Sequence, residues 1–381
     1  MVAMVKSPAA VEGFAKGDDV EAVPHLEVPI NTPPSRLVEK AEVFCRACGT
    51  VCPLLCKVCP LCECAPAFSV SGNFNMKGTL RVLHDGRDDG ASNLVLLGEG
   101  HLGQVVVKAA RLQDDPEEVA NLREEVRLQS RFSHPSLVHL LFAAETPSEV
   151  LLVTPFVSGG DLHTALHPRG TLSELEARDL CSQLVGALRY LHVDLAIVHG
   201  DVKPRNVFLL LAGGAHIAQL GDFGLSREVP AGGKCHFYRL AGTHGYFAPE
   251  LLDREDYDCA VDMFALGVIM FTVVGGYEPF YPASKVHAPL EFDKTCWGHV
   301  SSECASFVSG LLRTDPKLRT TAEAATQDYW ILSDDLSEVD VSTLPLGAPK
   351  PRKIAFHNAA KVADALPLAR RSPDHDRWQA Y

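Results

Sequence analysis

Asp201, Asn206 and the Asp-Phe-Gly of 222–224 narrow the folds open to this chain more than any property of its composition. The stretch reads HGDVKPRNVFLLLAGGAHIAQLGDFG from His199 to Gly224. An aspartate, a lysine two residues on and an asparagine three further lie in a loop. The apolar runs NVFLLL and HIAQLG then flank Ala-Gly-Gly-Ala, which predicts a strand, a tight turn and a return strand. Such a hairpin returns the chain to its starting edge, so Asn206 and Asp222 come together at the strand ends. Transfer of a phosphoryl group needs its charge neutralised and its nucleophile aligned, which calls for metal-binding oxygens beside a positioned carboxylate. Asp201, Lys203, Asn206 and Asp222 supply those groups.

Composition sets the outer limits. With 381 residues, 46% apolar and 22% charged, the chain has ample material for one large domain or two ordinary ones and reads as soluble and globular. A net charge of −13 argues against a nucleic-acid grip by the whole protein. The longest apolar stretch, 264–276, is too short to span a bilayer and predicts a buried helix, so no membrane association is expected. The N-terminus lacks a basic start followed by a sustained apolar core, and twelve cysteines without such a signal point to a reducing compartment. The expectation is an intracellular protein, cytoplasmic or nuclear.

Residues 1–40 are rich in proline, alanine and acids and predict a flexible leader; 41–66 hold a cysteine cluster. From about 92 the pattern turns globular. NLVLLGEGHLGQVVVKAARL is strand-like on both sides of a glycine-rich turn, and DPEEVANLREEVRLQSRF is helical with Pro116 in its first turn. Thr171 with Glu174 reads as a capping box ahead of Leu180, Leu184, Leu188 and Leu191 at helical spacing. Helical patterns dominate from about 258 to 331. Strands first and helices after predict an α+β, two-lobed body over 92–333, divided near 157 and 158, with a small N-terminal module and a loop-rich tail over 334–381.

The ordered motifs, followed by GTHGYFAPE at 242–250, resemble the eukaryotic protein kinase family over roughly 92–333. The resemblance implies the two-lobed kinase fold and transfer of the ATP γ-phosphate to protein serine or threonine hydroxyls, since DVKPRN looks like the serine/threonine-directed loop. It implies that Asp201 accepts the substrate proton, Lys203 reaches the migrating phosphate, and Asn206 and Asp222 bind Mg²⁺, with Mn²⁺ as a substitute. Gly98, Gly100 and Gly103 would close over the phosphates, with Val105 against adenine. Thr154 would be the gatekeeper, Val157 would offer backbone groups to adenine, and Asp161 would approach the ribose. Glu250 would pair with Arg319, and Asp262 would tether the catalytic loop.

Three places depart from the family pattern. Lys108 is the candidate ATP-contacting lysine and Glu125 its helix partner. Only five residues separate Gly103 from Lys108, about 17 Å of extended chain, which leaves no room for a second strand, a turn and a return strand. Either the lobe is abbreviated and Lys108 acts from the second strand, or another lysine substitutes. Strict alternation adds that Val105 and Lys108 face opposite ways unless a bulge intervenes. Gln129 stands where the family packs an apolar side chain on the Phe of Asp-Phe-Gly, and Gly200 where it usually has a phosphate-binding arginine.

Seven cysteines fall within 45–64, and the Cys-x-x-Cys spacing suits tetrahedral Zn²⁺, with Cys45, Cys48, Cys59 and Cys62 as the favoured set. The basic stretch within 349–371 reads as a solvated linker or as a nuclear address or docking site. Protein substrates and ATP are the expected partners, and nucleic acid could enter only through the zinc module or this tail. Two further readings stay open: a pseudokinase scaffold, and an adaptor in which the zinc module is the main actor.

Overall fold

The computed structural model describes residues 38–40, 43–45, 61, 68–70, 76–85, 94–100, 103–113, 115–146, 148–167, 170–231, 233–238 and 240–333. The first lobe contains strands β1 (Val38–Lys40), β2 (Val43–Cys45), β3 (Phe68–Val70), β4 (Met76–Asp85), β5 (Leu94–Gly100) and β6 (Gly103–Arg111). Helix α1 (Pro116–Gln129) follows, then β7 (Phe142–Glu145) and β8 (Glu149–Pro155). Six of these strands make one sheet in the order β1-β7-β8-β6-β5-β4, while β2 and β3 pair separately. The sheet therefore includes β1 and β4, upstream of residue 92, where the sequence suggested that the catalytic body begins.

β5 and β6 form a hairpin closed at Gly100 and Gly103, and β6 runs without interruption against β8 from Val105–Pro155 to Arg111–Glu149. A single strand fills the short spacing: β6 is both the return strand of the glycine-rich turn and the neighbour of the strand leading out of the lobe. Asp115 caps α1 by accepting from Glu117 N at 2.9 Å, and Pro116 occupies the first turn, where its missing N–H costs nothing. Val119, Leu122 and Val126 bury their side chains against Ala110, Ala143, Val150 and Leu152. Burial of that kind contributes about 1.5–3 kcal/mol per large aliphatic side chain and is the main force docking α1 on the sheet.

The second lobe begins with α2 (Leu162–Leu166) and α3 (Glu174–Arg189), the latter continued by a wider turn over Tyr190–Asp194. Short strands β9 (Ile197–Val198), β10 (Val207–Ala212), β11 (Ala215–Leu220) and β12 (Arg227–Glu228) carry the loops of interest. Helices α4 (Pro249–Leu252), α5 (Ala260–Gly275), α6 (Lys294–Trp297), α7 (Ser302–Leu311), α8 (Ala322–Ala325) and α9 (Tyr329–Leu332) complete it. The capping box of α3 is formed by Ser173 and Glu176, two residues later than the sequence suggested. Glu174 instead turns inward and accepts from Ser301 N and Trp330 Nε1, both at 2.8 Å. Leu180, Leu184, Leu188 and Leu191 are buried on α3 and the turn after it, as their spacing predicted. The apolar run of 264–276 lies in α5, which is buried almost all round and stops at Gly276, in the left-handed conformation (φ +77°). No helix among the described residues is long and apolar enough to cross a membrane.

Of the four favoured zinc ligands only Cys45 falls in a described element, at the end of β2; Cys48, Cys59 and Cys62 lie outside the described residues. No group of three or more His, Cys, Asp or Glu arranged for a metal ion occurs among the described residues.

Candidate active site

The loop after β9 is built around one buried carboxylate. Asp262, in the first turn of α5, accepts from His199 N at 2.7 Å and Gly200 N at 2.9 Å, and meets His192 Nε2 at 2.8 Å. Burial works to raise its pKa, but these contacts hold the Asp262 carboxyl below the ordinary range. His199 is fully buried, with Nδ1 accepting from Asp201 N at 3.2 Å and Nε2 donating to Gly221 O at 3.2 Å. That arrangement requires a neutral ring with its proton on Nε2, and burial lowers its pKa accordingly. Gly200 between them has φ +79°, and a Cβ there would lie 2.9 Å from Leu225 O. Both facts favour glycine.

Asp201 is held from three sides. Asn206 Nδ2 donates to its backbone oxygen at 2.9 Å and to Oδ2 at 3.1 Å. Lys203 Nζ lies 2.6 Å from Oδ2 and donates to Thr243 Oγ1 at 2.7 Å, while Thr243 Oγ1 stands 3.4 Å from Oδ1. The 3₁₀ turn Pro204–Asn206 leads into β10, and Gly221 N donates to Asn206 O at 2.9 Å. The β10–β11 hairpin thereby sets Asp222 beside the catalytic loop, as the apolar runs predicted. Asp222 takes φ +62°, an uncommon conformation for a non-glycine residue, and turns its carboxylate towards Lys108. Phe223, beside it, is buried against Phe132 and His199, with ring centroids 4.6 and 4.9 Å away.

Lys108 Nζ donates to Glu125 Oε2 at 2.8 Å and to Asp222 Oδ1 at 3.1 Å. Burial works against its charge, but the two carboxylates outweigh burial and raise its pKa; the same ammonium draws Asp222 below its usual range. Gly224 follows closely, for a Cβ there would stand 3.2 Å from Lys108 Nζ. No bulge interrupts β6, so alternation puts Val105 on the face opposite Lys108. Val106 shares the face of Lys108, directly across from Thr154 on β8. Gln129 Nε2 donates to Val138 O at 2.8 Å, while its Oε1 is buried with no partner among the described residues.

Towards the hinge, Phe156 N donates to Gln104 O at 3.0 Å and Val157 is buried, its carbonyl accepting from Gly160 N at 3.3 Å. Asp161 caps α2, accepting from Thr164 N at 2.8 Å and Thr164 Oγ1 at 2.9 Å, so its carboxylate already has structural work. Gly98 faces Val105 across the hairpin. Gly103 has φ +107°, and a Cβ added there would meet nothing within 4 Å, so the backbone is open at the mouth of the turn. Glu250 and Arg319 pair in the interior at 2.7 and 3.0 Å. Sequence reasoning misses His199 as a buried neutral ring. It also misses Glu228, whose contacts lie far away in the chain.

Residues 93–331 match the protein kinase domain family. Calcium/calmodulin-dependent protein kinase type 1B of Rattus norvegicus is 37% identical over 229 residues, 58% of this chain and 66% of that protein. The chain thus spans just under two thirds of that relative's length. Myosin light chain kinase A of Dictyostelium discoideum is 33% identical over 258 residues, 65% of this chain and 86% of that protein. Calcium/calmodulin-dependent protein kinase type 1 of Caenorhabditis briggsae is 30% identical over 314 residues, 77% and 87% respectively. With the family match covering more than half its length, this chain belongs to the protein kinase family.

Proposed function

We propose that the protein is a serine/threonine protein kinase that uses ATP and Mg²⁺, with Mn²⁺ as a substitute. The observation that carries the reading is the convergence of Lys108 Nζ on Glu125 and Asp222 beside the loop of Asp201. An ammonium held by two carboxylates from a helix and a strand end is an arrangement suited to gripping phosphate oxygens and unusual as mere surface decoration. The named relatives support the serine/threonine direction.

The donor set suits a hard cation. Asp222 keeps Oδ2 without a partner among the described residues, and the amide nitrogen of Asn206 is turned to Asp201, which leaves its Oδ1 free to ligate. Bound Mg²⁺ would supply charge neutralisation at the phosphates. Asp201 would orient the substrate hydroxyl and accept its proton, with the Lys203 ammonium adding positive charge on the side of the incoming phosphate. Thr243 couples this loop to the segment that receives the substrate. Gly200, in place of an arginine, leaves that position without a cation for a phosphate on the activation segment, so we infer regulation that does not rely on that contact. Transfer of labelled phosphate from ATP to generic proteins tests the reading, with Asp201→Asn as the control; transfer unaffected by that change would sink it, and none from either protein would favour a scaffold.

We also propose a structural Zn²⁺ at Cys45, Cys48, Cys59 and Cys62, supported by the paired Cys-x-x-Cys spacing. Elemental analysis of the full chain should give about one zinc, lost in Cys62→Ser but kept in Cys304→Ser. Protein free of zinc would remove this module.

A further inference from the structure

Glu228 on β12 belongs to the segment that follows Asp-Phe-Gly, yet its side chain is bound to α1. Its Oε2 lies 2.8 Å from Arg127 Nη2 and its Oε1 2.6 Å from Arg131 Nη1. Arg127 lies in the last turn of α1 and Arg131 two residues beyond its last residue, Gln129, so the carboxylate grips the C-terminal end of the helix. Arg127 is fixed in addition by Glu124, at 2.7 and 2.8 Å, and Arg131 donates to Leu195 O at 3.3 Å. Glu228 itself is anchored through its backbone, since β12 pairs with β9 at Arg227–Val198 and Glu228–Ile197. The carboxylate thus joins a strand rooted in the second lobe to a helix of the first.

Glu125 is two residues before Arg127, about 200° around the helix, so it points away from Arg127 and towards Lys108. A grip at the back of α1 fixes the helix's rotation about its own axis, and that rotation decides whether Glu125 meets Lys108. A cavity of about 350 Å³ lies nearby, lined by Glu117, Gly200, Arg227, Glu228 and Tyr238 among others. It makes a poor phosphate cradle: Gly200 adds no cation, Glu117 and Glu228 add negative charge, and Arg227 already donates to Ser226 O at 2.7 Å and Asn121 Oδ1 at 3.3 Å.

We propose that Glu228 is a positioning residue for phosphotransfer: its carboxylate clamps Arg127 and Arg131 and so holds Glu125 on Lys108 without a phosphate on the activation segment. The inference rests on the kinase reading for its effect on catalysis, while the clamp itself is measurable without activity.

The test uses the full chain, freed of phosphate by a phosphatase, and follows both ATP kinetics and amide hydrogen exchange across 116–129. Glu228→Gln keeps the shape and removes the charge. The contacts are partly exposed, Glu228 being 44% exposed, so the expected loss in kcat/KM for ATP is about 3- to 10-fold, with faster exchange in α1. Glu228→Asp should recover part of both. Adding Arg127→Gln and Arg131→Gln to Glu228→Gln should cost little more, since the groups act as one unit. Unchanged ATP kinetics with unchanged exchange in Glu228→Gln, or losses that simply add, would overturn the clamp, as would loss of wild-type activity on phosphatase treatment. Faster exchange in the variant with no transfer by the wild type would keep the clamp and sink the kinase reading instead.

Discussion

The two halves of the active site are held by different means. In the second lobe, Asp201 is fixed by redundant contacts: Asn206 and Lys203 close by in the chain and Thr243 farther along hold its side chain, and Asp262 holds the backbone before it. In the first lobe, Lys108 stands on a single uninterrupted strand, and its partner Glu125 depends on how α1 docks and turns. Gln129, with a buried oxygen left unpaired, sits on the same helix. An unpaired buried polar atom costs about 1–3 kcal/mol, so α1 is the less secure of the two halves. The comparison teaches that damage in the second lobe should cost chemistry or folding outright, while damage in the first should cost alignment.

The largest effects should therefore come from the second lobe. Asp201→Asn and Asp222→Asn are each expected to lower kcat by about 10³-fold or more with unchanged thermal unfolding, because an amide neither accepts the proton nor binds a hard cation well. Steady-state rates and melting curves, measured together, check this; a variant within tenfold of wild type would break the comparison at its strongest point. Arg319→Met should cost about 3–5 kcal/mol of stability, since it leaves Glu250 charged and buried. Arg319 also donates to Arg313 O, Ala260 O and Thr314 O, so replacing both partners by apolar residues should not restore stability. Denaturant titration of the single and double variants decides the matter.

Lys108→Met is expected to reduce kcat/KM for ATP by about 10²-fold, and Lys77→Met, on β4 beyond β5, by less than about twofold. The reverse order would mean that nucleotide is gripped two strands earlier. This pair of variants also measures how far the site can be read from sequence. Asp201, Asn206 and Asp222 are legible because one short hairpin brings them together, and hairpins are written in local apolar runs. The first turn of α1, marked by Pro116, is legible because it too is written locally. The orientation of Val105 is not, because alternation alone cannot say whether a bulge occurs. The Ser173 cap escapes notice because Glu174 is drawn inward by Ser301 and Trp330, over a hundred residues away in the chain. The Glu228 contacts are invisible likewise: Arg127 is 101 residues from its partner.

A smaller effect concerns pH. Burial pushes His134 down to about 4, and it uses Nδ1 as an acceptor for Ser136 N at 3.1 Å. His199 is lowered by burial as well. A folded-state pKa below the unfolded value of about 6.5 means that the unfolded chain takes up the proton first. Stability is therefore full above pH of about 6.5 and falls as pH drops towards 4, by on the order of 2–3 kcal/mol for His134 alone. Melting curves between pH 7.5 and 5 should show a falling midpoint, and His134→Gln should flatten the slope. An unchanged midpoint over that range would count against the buried neutral rings.

The smallest expected effect concerns which substrates the second lobe prefers. Arg205 sits in the turn between Lys203 and Asn206, exposed, with no ion pair among the described residues. Kinases of this family that favour basic substrates usually carry a glutamate here, so the local charge is reversed. Asp161, the nearby carboxylate that could still attract a basic side chain, is engaged in capping α2. His163 feels the same positive field, its pKa lowered by burial first and by Arg205 second. Two like charges about 4 Å apart at an effective dielectric near 20 cost roughly 4 kcal/mol before screening, and salt and exposure reduce this to a bias of a few-fold. Peptides with acidic or neutral residues upstream of the target hydroxyl should be phosphorylated about 3- to 10-fold better than arginine-rich ones at low salt, the difference shrinking as salt is added. Arg205→Glu should shift selection towards basic peptides without altering the KM for ATP. A strong wild-type requirement for upstream arginine in a peptide library would overturn the assignment, and would show that a carboxylate elsewhere in the second lobe sets the local charge.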